Sequence, residues 1–193
     1  MRIGVLGVDL SLTGTGLAGP YTWDARRLNT SELYDPDRMI YIRKRVMESA
    51  VLAKLVVLED FSYGSKGRGV FQTGGLGWVV RVELAEHQIP YVLLPPNTLK
   101  GFATGKGNVD KYAMRRECER RLGIVPRNDD EADACWLRAA GCEAYGILAK
   151  DYGIKMPGSH RRFLEKVTWP ELSILNSRGD LIYTVEPLIG VWA

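Results

Sequence analysis

The chain has little with which to bind a soft metal or to staple itself. Three cysteines and two histidines in 193 residues leave a zinc site almost without ligands. Cys118, Cys135 and Cys142 are odd in number and none lies in a C-x-x-C pair, which argues against a secreted disulfide framework. Cys135 and Cys142, seven residues apart, should share a helix face as buried thiols. No run approaches the roughly 20 apolar residues needed to span a bilayer, so no membrane partner is expected. The opening MRIGVLGVDLSLTG reaches Asp9 without a signal-peptide cleavage pattern, and the expected location is the cytoplasm. A dominant charge is lacking too: 26 basic residues face 23 acidic ones, for a net +3, too mild to name a partner. Repeats and low-complexity tracts are absent.

What is present suits one domain of ordinary size. The hydrophobic fraction of 46% is enough for a real core. Ile3–Asp9 is a short apolar run ending in a carboxylate, which predicts a buried strand. Gly14 to Gly16 turn the chain into a second strand at Leu17 and Ala18, and Asp24–Thr30 could form a hairpin-linked third. Asp35-Pro36 predicts a helix start, with the aspartate as cap, running to Lys54. Leu55–Leu58 is again a buried strand, closed by Glu59 and Asp60. A glycine-rich, basic and aromatic loop is expected over 61–75. Leu76, Val79, Val80 and Leu84 then form a helical stripe, and Tyr91–Leu94 a strand closed by Pro95-Pro96. A basic helix is expected from Asp110 to Leu122, ended by Gly123. Asn128 with Glu131 three residues on resembles a capping box opening a last helix, whose apolar stripe is Ala132, Cys135, Trp136, Ala139 and Ala140. Strands linked by helical crossovers predict an α/β fold with parallel members, made mixed by the hairpin. Periodicity fades after Asp151. The expected division is a domain over 1–150 and a C-terminal extension over 151–193.

The acids carry the chemistry. If the strands ending in Asp9 and Glu59 pair in parallel, those residues lie about 5 Å apart, at the sheet end where α/β folds place their sites. Two such carboxylates repel unless a cation sits between them, and hard oxygen ligands suit Mg²⁺ or Mn²⁺. Asp130 and Asp133, three apart at a helix start, share one face and also suit the helix dipole. Bringing that face to the sheet end would complete a four-acid cluster able to hold two ions for phosphodiester cleavage. Between Lys100 and Arg121, Lys100, Lys106, Lys111, Arg115, Arg116, Arg120 and Arg121 face only Asp110, Glu117 and Glu119. That local excess could meet a phosphate backbone, or could be a solvated helix face.

GVDLSLTGTGLA, VVLEDFSYG and DDEADACWL resemble, in order and spacing, the three acidic motifs of RuvC-type Holliday-junction resolvases. NTLKGFATGKGNVDK is similar to the family's basic segment. The resemblance covers roughly residues 3–145 and implies a ribonuclease H-like mixed five-stranded sheet flanked by helices. It implies a metal-dependent endonuclease acting on branched DNA, four-way junctions or flaps, as a homodimer, and leaving 5′-phosphate and 3′-hydroxyl ends. Asp9, Glu59, Asp130 and Asp133 would bind two Mg²⁺ per site, with Mn²⁺ able to substitute. Lys111 would stabilise transition-state charge. DNA would meet Lys66, Arg68, Phe61, Tyr63, Lys100, Lys106, Lys111 and Arg115. Phe71 is a third candidate for the family's junction-contacting aromatic. The helix from Gly75 to His87 is a candidate dimer element, since Gly75 and Gly77 permit close approach. Asp60 and Asp129 are extra acids beside two of the expected ligands. Arg161, Arg162 and Lys166 could add phosphate contacts. The chain departs from the standard bacterial pattern toward phage-type members, which bears on strict four-way-junction specificity.

Two alternatives stay within the fold: a non-catalytic binder of branched nucleic acid, and an RNA-processing nuclease. A third comes from a different class of protein with a related fold. D-x-S-x-T-G also occurs in the phosphate loop of actin-like ATPases, but those proteins need two such domains and a longer chain.

Overall fold

The computed structural model describes residues 3–60, 68–176, 178–189 and 191–192. Its centre is a five-stranded sheet in the order β3-β2-β1-β4-β5. The strands are β1 (Val5–Asp9), β2 (Gly14–Ala18), β3 (Ala25–Asn29), β4 (Leu55–Glu59) and β5 (Tyr91–Leu94). β1, β4 and β5 run parallel, while β2 and β3 fold back antiparallel. Every residue of β1 is buried. Such continuous apolar runs mark strands covered on both faces.

Alternation sorts the two faces. Leu6, Val8, Leu17, Val56 and Leu58 pack with α1 (Asp37–Ala50) and α2 (Arg68–Glu86) through Ile42, Val46, Leu76, Val80 and Leu84. Val5, Ala18, Leu55, Val57 and Leu94 face the other way. There they meet α3 (Pro96–Thr104), α4 (Lys111–Glu117, continued by a π-helical turn to Leu122) and α5 (Asp129–Ala144).

α5 lies across the middle strands, buried along nearly its whole length. Two glycines allow that approach. A Cβ at Gly7 would stand 2.1 Å from the Ala134 carbonyl oxygen, and one at Gly16 only 2.0 Å from that of Asp130. Gly7→Ala therefore forces backbone apart. Its expected cost is about 3 kcal/mol, the upper end for overpacking. Gly69→Ala, in α2 with nothing within 4 Å, should be neutral or stabilising by up to about 1 kcal/mol. Urea unfolding of the two variants checks both values.

Several local expectations need correction. α1 starts at Asp37 and has no side-chain cap; Asp35 instead accepts from Gln72 Nε2 at 2.9 Å. α1 also ends at Ala50, not Lys54, because the chain must turn for the Lys54 N–H to reach the Gly4 carbonyl. α2 begins at Arg68, inside the span expected to be loop, and Val79 of its stripe is exposed. α3 was not foreseen: Pro95-Pro96 reads as the end of a strand, yet Pro96 opens a helix that buries Leu99, Phe102 and Ala103. Asn128 does cap α5, accepting from the Glu131 N–H at 2.9 Å. The Glu131 carboxylate, however, accepts from the Arg127 N–H, so the box closes one residue early.

After α5 come α6 (Ile147–Tyr152) and α7 (Gly158–Arg161). Two small two-stranded sheets follow, β6 (Thr168–Trp169) with β9 (Val191–Trp192) and β7 (Leu172–Leu175) with β8 (Leu181–Val185). Leu164, Val167, Trp169 and Leu172 join the α5-side core. His160 ties this segment to α3 and to the π-helical turn, with Nδ1 2.8 Å from the Phe102 carbonyl and Nε2 3.3 Å from Arg121. All three cysteines are free and buried. Among the described residues no helix is long and apolar enough to cross a membrane.

Candidate active site

Strand register builds the site. Asp9 lies opposite Gly16, and Gly16 opposite Arg27, so the three form a row across β1, β2 and β3. Val8 is level with Leu58 in the parallel pair, which carries Asp9 and Glu59, the last residues of β1 and β4, to the same end. Residues in such a row share a face, here the face that α5 covers. Asp130 and Asp133 enter from the first turns of α5, over the glycine in the row.

Burial and acidic neighbours act together on Asp9, Glu59 and Asp133. Asp9 is 9% exposed. Burial pushes its carboxyl well above the usual range; Glu59, Asp133 and Asp130 push it further, and Lys111 pulls it back. Glu59 is pushed up to about 7, mainly by burial and then by Asp133, against Lys100 and Lys111. Asp133 is pushed up to about 6 by burial, with Asp129 and Asp130 adding to it and Lys111 and Lys100 opposing. Lys100 on α3 and Lys111, the first residue of α4, thus supply positive charge from one flank.

Asp129 acts on Asp133 but is not among the groups that act on Asp9. Its carboxylate stands 4.0 Å from Lys111 Nζ, while Asp130 and Asp133 both act on Asp9. Asp60 follows β4, and its N–H donates to the Leu94 carbonyl. Lys106 is exposed after α3, and Arg115 donates to the Pro126 carbonyl at 3.3 Å. Phe61, Tyr63 and Lys66 lie outside the described residues, as does the side chain of Arg68. Phe71 is on α2 and 83% exposed.

Sequence reasoning missed Arg27, whose Nε stands 2.6 Å from Asp130 Oδ2. The signal was Gly14-x-Gly16: of two glycines on one face of β2, Gly14 leaves room for a long side chain from the next strand and Gly16 for the α5 backbone. Among the described residues no group of three or more His, Cys, Asp or Glu side chains is arranged so that it could hold a metal ion. The donor set still fits a hard divalent cation: carboxylate oxygens gathered at one sheet end, three of them on side chains whose pKa is raised by burial and by acidic neighbours.

A mixed sheet of this order, with acids at the ends of its two central strands and at the start of a covering helix, defines a ribonuclease H-like protein. Thermus thermophilus RuvC has this fold. One of its structures matches with a TM-score of 0.57 at 21% identity, over 80% of this chain and 100% of that one. A second, of T. thermophilus RuvC in complex with Holliday junction substrate, matches at 0.60 and 19%, over 81% and 100%. The chain belongs to the RuvC family of crossover junction endodeoxyribonucleases. It is 30% identical to the Synechococcus sp. RuvC over 148 residues, 67% of this chain and 92% of that protein. With Prochlorococcus marinus RuvC it shares 31% over 114 residues, 56% and 72% of the two chains. With Gloeobacter violaceus RuvC it shares 34% over 95 residues, 48% and 54%. No family model matches the chain.

Proposed function

We propose that this protein is a metal-dependent endonuclease that resolves four-way DNA junctions, with Asp9, Glu59, Asp130 and Asp133 as metal ligands. The observation that carries this is the pairing of Asp9 with Glu59 at one sheet end beneath the two α5 aspartates. Burial and neighbouring acids raise the proton affinity of Asp9, Glu59 and Asp133, a cost in stability that bound cations would offset. Mg²⁺ fits best, two per site, with Mn²⁺ as substitute; bound there, they would supply Lewis acidity and lower the pKa of water.

The remaining chemistry belongs to side chains. Lys111 and Lys100 project positive charge onto Glu59 and Asp133, so a phosphate entering there gains electrostatic stabilisation as charge builds in the transition state. Asp110 fixes Lys111 by capping α4, its carboxylate accepting from the Ala113 N–H at 2.7 Å. Lys106 and Arg115 extend the basic surface along α3 and α4, and Phe61, Tyr63, Lys66, Arg68 and Phe71 belong to the DNA-facing region after β4. Residues 1–150 form the nuclease domain of this reading and 151–193 its extension. The enzyme acts in the cytoplasm, where its DNA lies.

Junction resolution needs two sites on opposing strands, hence a homodimer. α2 offers the surface. Phe71, Trp78 and Val82 are exposed and fall at helical spacing with Gly74 and Gly75, beside which a Cβ would meet nothing within 4 Å. Val82→Glu should convert a dimer to a monomer in light scattering, and reduce paired nicking of a junction to single nicks.

The direct test is a labelled four-way junction with duplex, flap, single-strand and RNA-junction controls, in Mg²⁺, Mn²⁺ or EDTA. Paired metal-dependent nicks near the branch support the proposal. Equal cutting of flaps and single strands reduces it to a general branched-DNA nuclease. Preferential cutting of RNA favours an RNA-processing enzyme, and binding without cutting a non-catalytic binder.

A further inference from the structure

The two lysines meet the acid cluster from α3 and α4. On the opposite flank the counter-charge comes from the sheet's edge strand. β3 places Arg27 directly across from Gly16, and the missing side chain of Gly14, two residues back on the same face, leaves the guanidinium room to lie over β2. A Cβ at Gly14 would be 2.5 Å from Arg27 Nε and 2.7 Å from Asp130 Oδ2. The ion pair thus fills the space above Gly14, while the α5 backbone at Asp130 fills the space above Gly16. The guanidinium also reaches the Thr13 carbonyl at 3.5 Å.

Asp130 is therefore shared. One neighbour is Arg27 at 2.6 Å; the others are Asp9 and Asp133, both of which feel its charge. We propose that Arg27 is an internal counter-cation that competes with a divalent ion for Asp130 and so sets the metal affinity of the site. The inference rests on the reading of the four acids as metal ligands.

Competition follows from the kind of partner Arg27 is. A group that orients a ligand for metal is held fixed and donates or accepts without opposing the ion. Arg27 carries a full positive charge against the ligand oxygen, which repels a second cation. Its side chain is 40% exposed, against 22% for Asp130, so the pair is held weakly and can exchange. The arrangement spares Asp130 from bare repulsion before metal arrives and yields when it does.

The test needs neither DNA nor cleavage. Free Mn²⁺ is measured by its EPR signal in titrations of the wild type, Arg27→Gln, Arg27→Lys, Asp130→Asn and the Arg27→Gln/Asp130→Asn double variant, each verified as folded by circular dichroism. Arg27→Gln should bind Mn²⁺ about three- to fivefold more tightly, the scale of a half-exposed ion pair, and Arg27→Lys should stay near the wild type. In the Asp130→Asn background the Arg27→Gln effect should vanish, since the contested carboxylate is gone. Unchanged or weaker binding by Arg27→Gln overturns the proposal. So does equal tightening in the Asp130→Asn background, which would be a general field effect. If neither the wild type nor Arg27→Gln binds Mn²⁺, the metal reading of the site itself fails, and the proposal with it.

Discussion

Asp9→Asn should abolish metal-dependent junction cleavage, by a factor on the order of 10³ or more, and at the same time stabilise the metal-free protein. The two effects share one cause. Asp9 is the most enclosed of the four acids, at the end of a fully buried strand, and its carboxyl is raised by burial and by three acidic neighbours. The neutral amide keeps the shape and removes the repulsion. Each kcal/mol relieved appears as about 2–4 °C in Tm for a chain of this size. The pair of measurements is cleavage of a synthetic junction in Mg²⁺ and thermal unfolding in EDTA. Lost cleavage with a lowered Tm would mean that Asp9 is a structural residue, and the assignment of the acid cluster to metal binding would fall.

How much of this was legible without coordinates follows from what each feature depends on. The β1 and β4 runs are short, apolar and closed by carboxylates, so their burial and their acids can be read locally. α5 carries its own cap at Asn128 and an i, i+3 acid pair, both local signals. α3 has none: its nine residues contain Pro96 and Gly101, and its packing depends on tertiary contact, with Phe163 of the later chain lying where a Gly101 Cβ would be. Likewise, one of the small sheets after Asp151 joins two-residue strands far apart in sequence, Thr168–Trp169 and Val191–Trp192, which leave no period to detect. Arg27 lay deepest. Its role needs the β2–β3 register, two glycines on one face and the descent of α5 onto them, three long-range facts that no window of sequence contains. The capping box shows the intermediate case, where the right residues were read but Glu131 accepts from Arg127 rather than closing on Asn128.

The pH dependence of stability should distinguish a metal site from a merely acidic surface. Glu59 moves from the usual 4.5 to about 7 in the folded protein. The folded state therefore holds this proton more tightly than the unfolded chain. Its contribution to stability is full below about pH 4.5 and is lost as pH rises through 7. The loss is on the order of 3–4 kcal/mol at most, at 1.36 kcal/mol per pKa unit. Asp133, raised from 3.8 to about 6, follows the same sign over a lower window, and because the two act on each other their contributions do not simply add. In EDTA, the difference in unfolding free energy between Glu59→Gln and the wild type isolates the Glu59 part from every other titrating group. It should widen in favour of the variant between pH 5 and pH 8. Mg²⁺ should close that gap at pH 8 by stabilising the wild type, and do little at pH 5, where protons already occupy the carboxylates. The experiment is urea unfolding at four pH values with and without Mg²⁺. A gap independent of pH would mean that Glu59 is not under the repulsion of its neighbours. A pH-dependent gap that Mg²⁺ leaves untouched would mean that the acids are crowded for some reason other than binding a cation.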